Sequence, residues 1–186
     1  MADWFFRYLA VPEPDFNLDV GSGSHAQQTA AIMQRFEPVL EQVGPLAVLV
    51  VGDVNSTIAC ALVAAKCCVP VFHVEAGLRS GDRRMPEEIN RVLTDQLSEL
   101  LFITEPSARE NLLREGVAEQ RIFHVGNVMI DTLKHCLEQA VPAARTLAGI
   151  SGRKRFLHGD SGYGVLTLHR PSNVDDPKVL GNILST

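Results

Sequence analysis

One pattern constrains the fold of this chain more than any other. Four short apolar runs, Leu46 to Val51, Val69 to Val74, Leu100 to Thr104 and Ile122 to Val125, are each followed by a segment that reads as a helix. The runs are apolar throughout rather than alternating, as expected of strands covered on both faces of a parallel sheet. Parallel strands need crossover connections, and these are right-handed. The sequence therefore predicts an α/β fold with a doubly wound parallel sheet. The intervening helices are expected over Asn55 to Cys67, Pro86 to Ser98, Pro106 to Glu115 and Met129 to Gln139. Proline at the first turn suits the second and third of these.

Before the first run, Ala30, Met33, Phe36 and Leu40 share a helical face, which predicts a helix over His25 to Val43 capped by Ser24. Trp4, Phe5 and Tyr8 are spaced for the end of another helix over Asp3 to Leu9. After the fourth unit, residues 151–162 are basic, glycine-containing and aperiodic, and read as a linker. Tyr163 to Leu168 reads as a new strand and Asp176 to Leu184 as a helix. The expected organisation is one domain over residues 1–150, the linker, and the first strand–helix unit of a second domain over 163–186, a piece too small to bury a core alone.

Bulk properties narrow the function. The chain has 186 residues, 46% hydrophobic and 21% charged, an ordinary globular composition. A net charge of −5 argues against a nucleic-acid partner. No apolar run is long enough to cross a membrane, and no signal peptide precedes the fold, so a cytoplasmic location is expected. Cys60, Cys67, Cys68 and Cys136 form no C-x-x-C pair. Zinc or dithiol chemistry is not expected, nor is any metal or cofactor.

Ligands of open parallel sheets bind beyond the carboxyl ends of the strands. The polar residues there are Asp53, Glu75 and, after the linker, His169 and Arg170, with Glu87 and Glu88 opening a nearby helix. Carboxylates and an imidazole converging on one crevice suit proton transfer at carbon. Each also has a plainer reading. Asp53 can cap the helix from Asn55. Glu87 and Glu88 suit the first turn of a helix through its dipole. His169 can be a satisfied histidine at a domain edge, although Arg170 beside it favours anion binding. Arg79, Arg83 and Arg84 read as a solvated loop. Glu75 has no capping role, which favours a ligand role. Gly21 to Ala26 fits G-x-G-x-x-A formally, but no buried strand precedes it, so a nicotinamide site is not expected.

Five segments in order resemble one family. Gly21 to Thr29 (GSGSHAQQT), Gly52 to Thr57 (GDVNST), His73 to Arg79 (HVEAGLR), Pro86 to Arg91 (PEEINR) and Leu168 to Asn173 (LHRPSN) look like the non-hydrolysing UDP-N-acetylglucosamine 2-epimerases. The resemblance implies a GT-B-type pair of Rossmann-like domains with the site in the cleft between them. It implies elimination of UDP to 2-acetamidoglucal and re-addition, interconverting UDP-N-acetylglucosamine and UDP-N-acetylmannosamine. Asp53, Glu75, Glu87 and His169 are the implied catalytic residues. Arg170, Asn55, Ser56, Arg79 and Gln28 are the implied substrate contacts, and a homodimer of the full-length protein is implied as well.

The chain lacks the family's early G-T-R-P-E loop and carries Ser172 where the family has glutamate. Together with the short second domain, this predicts that the isolated chain is inactive. A GT-B glycosyltransferase, a hydrolysing 2-epimerase and a non-catalytic interaction module are the alternative readings.

Overall fold

The computed structural model describes residue 9, residues 11–148, 165–168 and 171–185. Two compact units divide the chain, Met1–Leu133 and Lys134–Thr186.

Among the described residues the first unit opens with helix α1 (His25–Val43). Ser24 and Gln27 form a reciprocal capping box, and Gly44 closes the helix in the left-handed conformation. Strand β1 (Val48–Val51), helix α2 (Asn55–Lys66), strand β2 (Val71–Val74), helix α3 (Pro86–Leu97), strand β3 (Leu100–Ile103), helix α4 (Pro106–Arg114), a 3-10 turn (Glu119–Arg121) and strand β4 (Ile122–His124) follow. Apart from the 3-10 turn, these elements lie where the apolar runs and prolines predict them, within one or two residues.

The four strands are all parallel and ordered β1-β2-β3-β4. The helices between consecutive strands pack against one face of the sheet, as right-handed crossovers between neighbouring parallel strands require. That face carries the core. Val50, His73, Leu101 and Ile122 stand side by side across the sheet and are all buried. Val50 and Val71 pack with Ala61, Val63 and Ala64 of α2 and Leu40 of α1. Leu101, Ile103 and Ile122 pack with Ala108 and Leu112 of α4.

The opposite face is as apolar but open among the described residues. Leu49 is 57% exposed and Val51 53%. Phe72, Phe102 and Phe123 form a cross-strand aromatic row there, with ring centroids 6.4 and 5.9 Å apart. The α/β class with a parallel sheet thus stands, while cover on both faces is seen on one.

The second unit holds helices α6 (Ala143–Ala148), α7 (Pro171–Val174) and α8 (Pro177–Ser185), and α5 (Val128–Leu137) spans the boundary between units. That boundary falls earlier than the expected linker, and α5 carries no buried side chain. Asp176 caps α8 through the Lys178 amide at 2.8 Å. The expected strand over Tyr163 to Leu168 lies in part outside the described residues, and Val165 to Leu168 are irregular, with Val165 86% exposed. A strand needs a neighbour for its N–H and C=O groups, and none pairs with this run among the described residues. The expected helix over Asp3 to Leu9 and the linker over 151–162 lie outside the described residues, apart from Leu9.

Candidate active site

The chemistry gathers where β1 and β2 end. Val51 and Val74 are partners in register, so the Gly52–Asp53 turn and Glu75 leave the sheet side by side. Gly52 takes φ +72°, and its amide still donates to the Val74 carbonyl at 3.1 Å.

Asp53 does not cap α2. The capping position is Val54, with no side-chain hydrogen bond, so the first turn of α2 is not closed by an acid. The Asp53 carboxylate instead pairs with Arg91 of α3, and its backbone carbonyl accepts from Asn90 at 2.9 Å. Both partners come from a helix nearly forty residues on, which is why the plainer reading loses here. Asn55 joins the same cluster: its amide donates to Gln28 Oε1 at 2.7 Å, and its oxygen accepts from Asn90 at 3.4 Å. His25 of α1 touches Asn55 at 3.1 Å. Ser56 is exposed in the first turn of α2. Asp53, Asn55 and Gln28 are therefore brought together.

Glu75 is the most unusual residue of the site. Its backbone lies at φ +69°, a region costly for a residue with a Cβ. Its amide is held by the Phe102 carbonyl at 3.1 Å. Its carboxylate lies over Gly52, with Oε2 3.7 Å from where a Cβ on that glycine would stand, and takes no hydrogen bond or ion pair among the described residues. Strain of this kind persists where the surroundings over-determine it, and it clusters at functional sites.

Helix α3 separates its two leading acids. Glu88 is buried and committed to structure. It accepts from the Ser80 amide and hydroxyl at 2.9 and 3.0 Å, from the Gly81 amide at 3.0 Å and from Arg91 at 3.0 Å. Burial pushes its pKa up, but the donors from Ser80 and Gly81 and the charge of Arg91 outweigh it, and the net shift is downward. Glu87 is half-buried, and its carboxylate has no partner among the described residues. It stands three and four residues before Asn90 and Arg91, on the helix face that reaches Asp53.

Arg79 is turned elsewhere. It meets Asp95 at 2.7 Å, Glu115 at 2.5 Å and the Leu78 carbonyl at 2.7 Å. Burial works against its charge, and the hydrogen bonds to Glu115 and the charge of Asp95 outweigh that and raise its pKa. His169 and Arg170 lie outside the described residues.

Sequence reasoning passed over His73, Asn90, Arg91 and Asp95. His73 had a signal, being the sole polar residue of an apolar strand run. Arg91 had another, standing three residues after Glu88, within reach on one helix face.

A family model described as UDP-N-acetylglucosamine 2-epimerase matches residues 1–186. A UDP-N-acetylglucosamine 2-epimerase of Methanocaldococcus jannaschii is 46% identical over 180 residues, covering 97% of this chain and 48% of that protein. A UDP-2,3-diacetamido-2,3-dideoxy-D-glucuronate 2-epimerase of Pseudomonas aeruginosa is 41% identical, covering 99% and 49%. Among solved structures, the Methanocaldococcus jannaschii UDP-GlcNAc 2-epimerase in complex with UDP-GlcNAc and UDP matches with a TM-score of 0.82 at 44% identity, over 98% of this chain and 49% of that one. The chain spans about half the length of these relatives. Among the described residues, no helix is long and apolar enough to cross a membrane. Motifs, parallel sheet and relatives agree, and the chain belongs to the UDP-N-acetylglucosamine 2-epimerase family.

Proposed function

We propose that this chain supplies the carboxylate side of an active site that interconverts UDP-N-acetylglucosamine and UDP-N-acetylmannosamine without net hydrolysis. The observation that carries the proposal is Glu75, a carboxylate with no partner among the described residues, on left-handed backbone beside the Asp53 turn. Glu87, likewise without a partner among the described residues, stands on the helix that holds Asp53.

The reaction explains the need for several acids. The C2 proton has no carbonyl beside it. One carboxylate accepts that proton while the C1–O bond to UDP breaks, giving 2-acetamidoglucal and UDP. A carboxylic acid on the other face then delivers a proton to C2 as UDP returns to C1. One base alone would return the proton to the face it left. Asp53, Glu75 and Glu87 are the groups proposed for these transfers. Arg91 holds Asp53 in place, and Asn55, Ser56 and Gln28 frame the substrate. His169 and Arg170 are proposed to meet the leaving diphosphate. Arg79 is proposed to act from behind, through Asp95, rather than on the sugar. A second Rossmann-like domain opening at residues 163–186, a cytoplasmic setting and a homodimer of the full-length protein complete the reading.

The test is incubation of the full-length protein with UDP-N-acetylglucosamine in D2O. Deuterium at C2 of both UDP-sugars is expected, and Glu75→Gln should slow its entry about 100-fold or more. Free N-acetylmannosamine would indicate a hydrolysing enzyme, and a glycosylated acceptor a transferase; either product overturns the proposal. The Pseudomonas aeruginosa relative supports trying a 2,3-diacetamido uronate as a second substrate.

A further inference from the structure

We infer that His73 is a positioning residue for this site: a buried imidazole, held through both ring nitrogens, that ties the turn bearing Asp53 to the helix bearing Glu87. The inference rests on the epimerase reading above for its function, and on geometry alone for its chemistry.

His73 is completely buried at the centre of the sheet, between Val50 and Leu101 in register. Its Nε2 lies 2.8 Å from the Gly52 carbonyl oxygen, and its Nδ1 lies 2.7 Å from Asp95 Oδ1. A carbonyl only accepts, so Nε2 carries a hydrogen. The other carboxylate oxygen of Asp95 already accepts from the Gly77 amide at 3.1 Å and from Arg79 at 2.7 Å. At 2.7 Å a bare Nδ1 facing a bare Oδ1 would set two lone pairs against each other, so a proton lies between them. His73 and Arg79 both meet Asp95, and Arg79 also meets Glu115, in one polar network. That set of partners is what makes burial of the ring tolerable.

The ring joins the segments that carry the acids. The Gly52 carbonyl immediately precedes Asp53. Glu75 follows His73 by two residues, just past the end of the same strand. Asp95 lies two turns along α3 from Glu87, and it also holds Gly77, two residues beyond Glu75. Stability alone asks for less, since an apolar side chain packs a sheet centre without charges to neutralise. Proton transfer asks for more, because misplacing a reacting group by about 1 Å costs on the order of 100-fold in rate. Charge-assisted hydrogen bonds are shorter and stronger than neutral ones and hold such geometry.

Two variants of the full-length protein separate the two bonds. His73→Asn presents an amide near the Nδ1 position, keeping Asp95 and releasing Gly52. His73→Gln reaches the Nε2 position, keeping Gly52 and releasing Asp95. The expected result for His73→Asn is a kcat lowered about 100-fold with KM little changed, and for His73→Gln a kcat between that value and the parent's. A folded His73→Asn protein with kcat within about twofold of the parent, or one altered only in KM, overturns the inference. Nitrogen-15 spectra of the unsubstituted protein give a reading that needs neither variant to fold. Nε2 should carry a hydrogen held by the Gly52 carbonyl, and a bare Nε2 overturns the inference. A parent that turns over no UDP-sugar sinks the activity reading, and the ring spectrum then decides the tie by itself.

Discussion

Gly77 offers the sharpest test of the packing behind the site. It lies two residues after Glu75 at φ +78°, and a Cβ added there would stand 2.6 Å from the Ala108 carbonyl oxygen and 3.0 Å from both Ala108 Cβ and Leu112 Cδ1. Gly77→Ala therefore meets two separate penalties. Left-handed backbone costs an L-residue about 1–2 kcal/mol. Overpacking against a helix whose carbonyl cannot swing aside costs about 1–3 kcal/mol more. The expected loss is about 2–5 kcal/mol, a large share of the roughly 5–15 kcal/mol that holds a typical domain together. Gly81 is the control, because it has φ +73° and nothing within 4 Å of its added Cβ. Gly81→Ala should lose only the backbone part, about 1–2 kcal/mol. The assay is urea unfolding of both variants beside the parent, compared at a common slope. Equal losses in the two variants would refute the reasoning, since they would leave no room for the contact with α4. The Gly77 amide donates to Asp95 and its carbonyl accepts from Asn111 at 2.9 Å, so the same displacement should also loosen Glu75.

Other expectations follow from single residues. Glu75→Gly should stabilise the protein by about 1 kcal/mol, by relieving a positive φ, while abolishing C2 exchange; a less stable variant in chemical unfolding would count against strain at this position. Glu88 has a folded pKa below its ordinary value of 4.5, so its clasp on Ser80 and Gly81 is fully present above 4.5 and is lost as pH falls through the lower folded value. Unfolding midpoints of Glu88→Gln should therefore depend less on pH in that acid window than the parent's, and parallel profiles would refute the assignment. Burial pushes the Cys60 thiol up to about 11, so Cys60 should alkylate more slowly than exposed Cys67 and Cys68, with mass spectrometry as the readout.

The sequence by itself determined what depends on neighbours along the chain. The start of α1 was legible in Ser24, which acts within one turn of the helix it bounds, and its extent to Val43 in the apolar period. The strand–helix alternation was legible because a run apolar on every side has few places to go but the middle of a sheet. Tertiary structure decided what depends on residues distant in the chain. Glu87 and Glu88 look alike in sequence, yet one is buried under the loop at Ser80 and the other has no partner among the described residues. Asp53 before a helix reads as a cap until Arg91 arrives from α3 to claim its carboxylate. His73 reads as one polar letter in an apolar strand until Gly52 and Asp95 meet its two nitrogens. Val165 to Leu168 has the composition of a strand, but no backbone pairs with it among the described residues. Local hydrogen bonds and periodicity are written in adjacent letters, whereas charge pairing, burial and sheet pairing form only when the chain returns on itself.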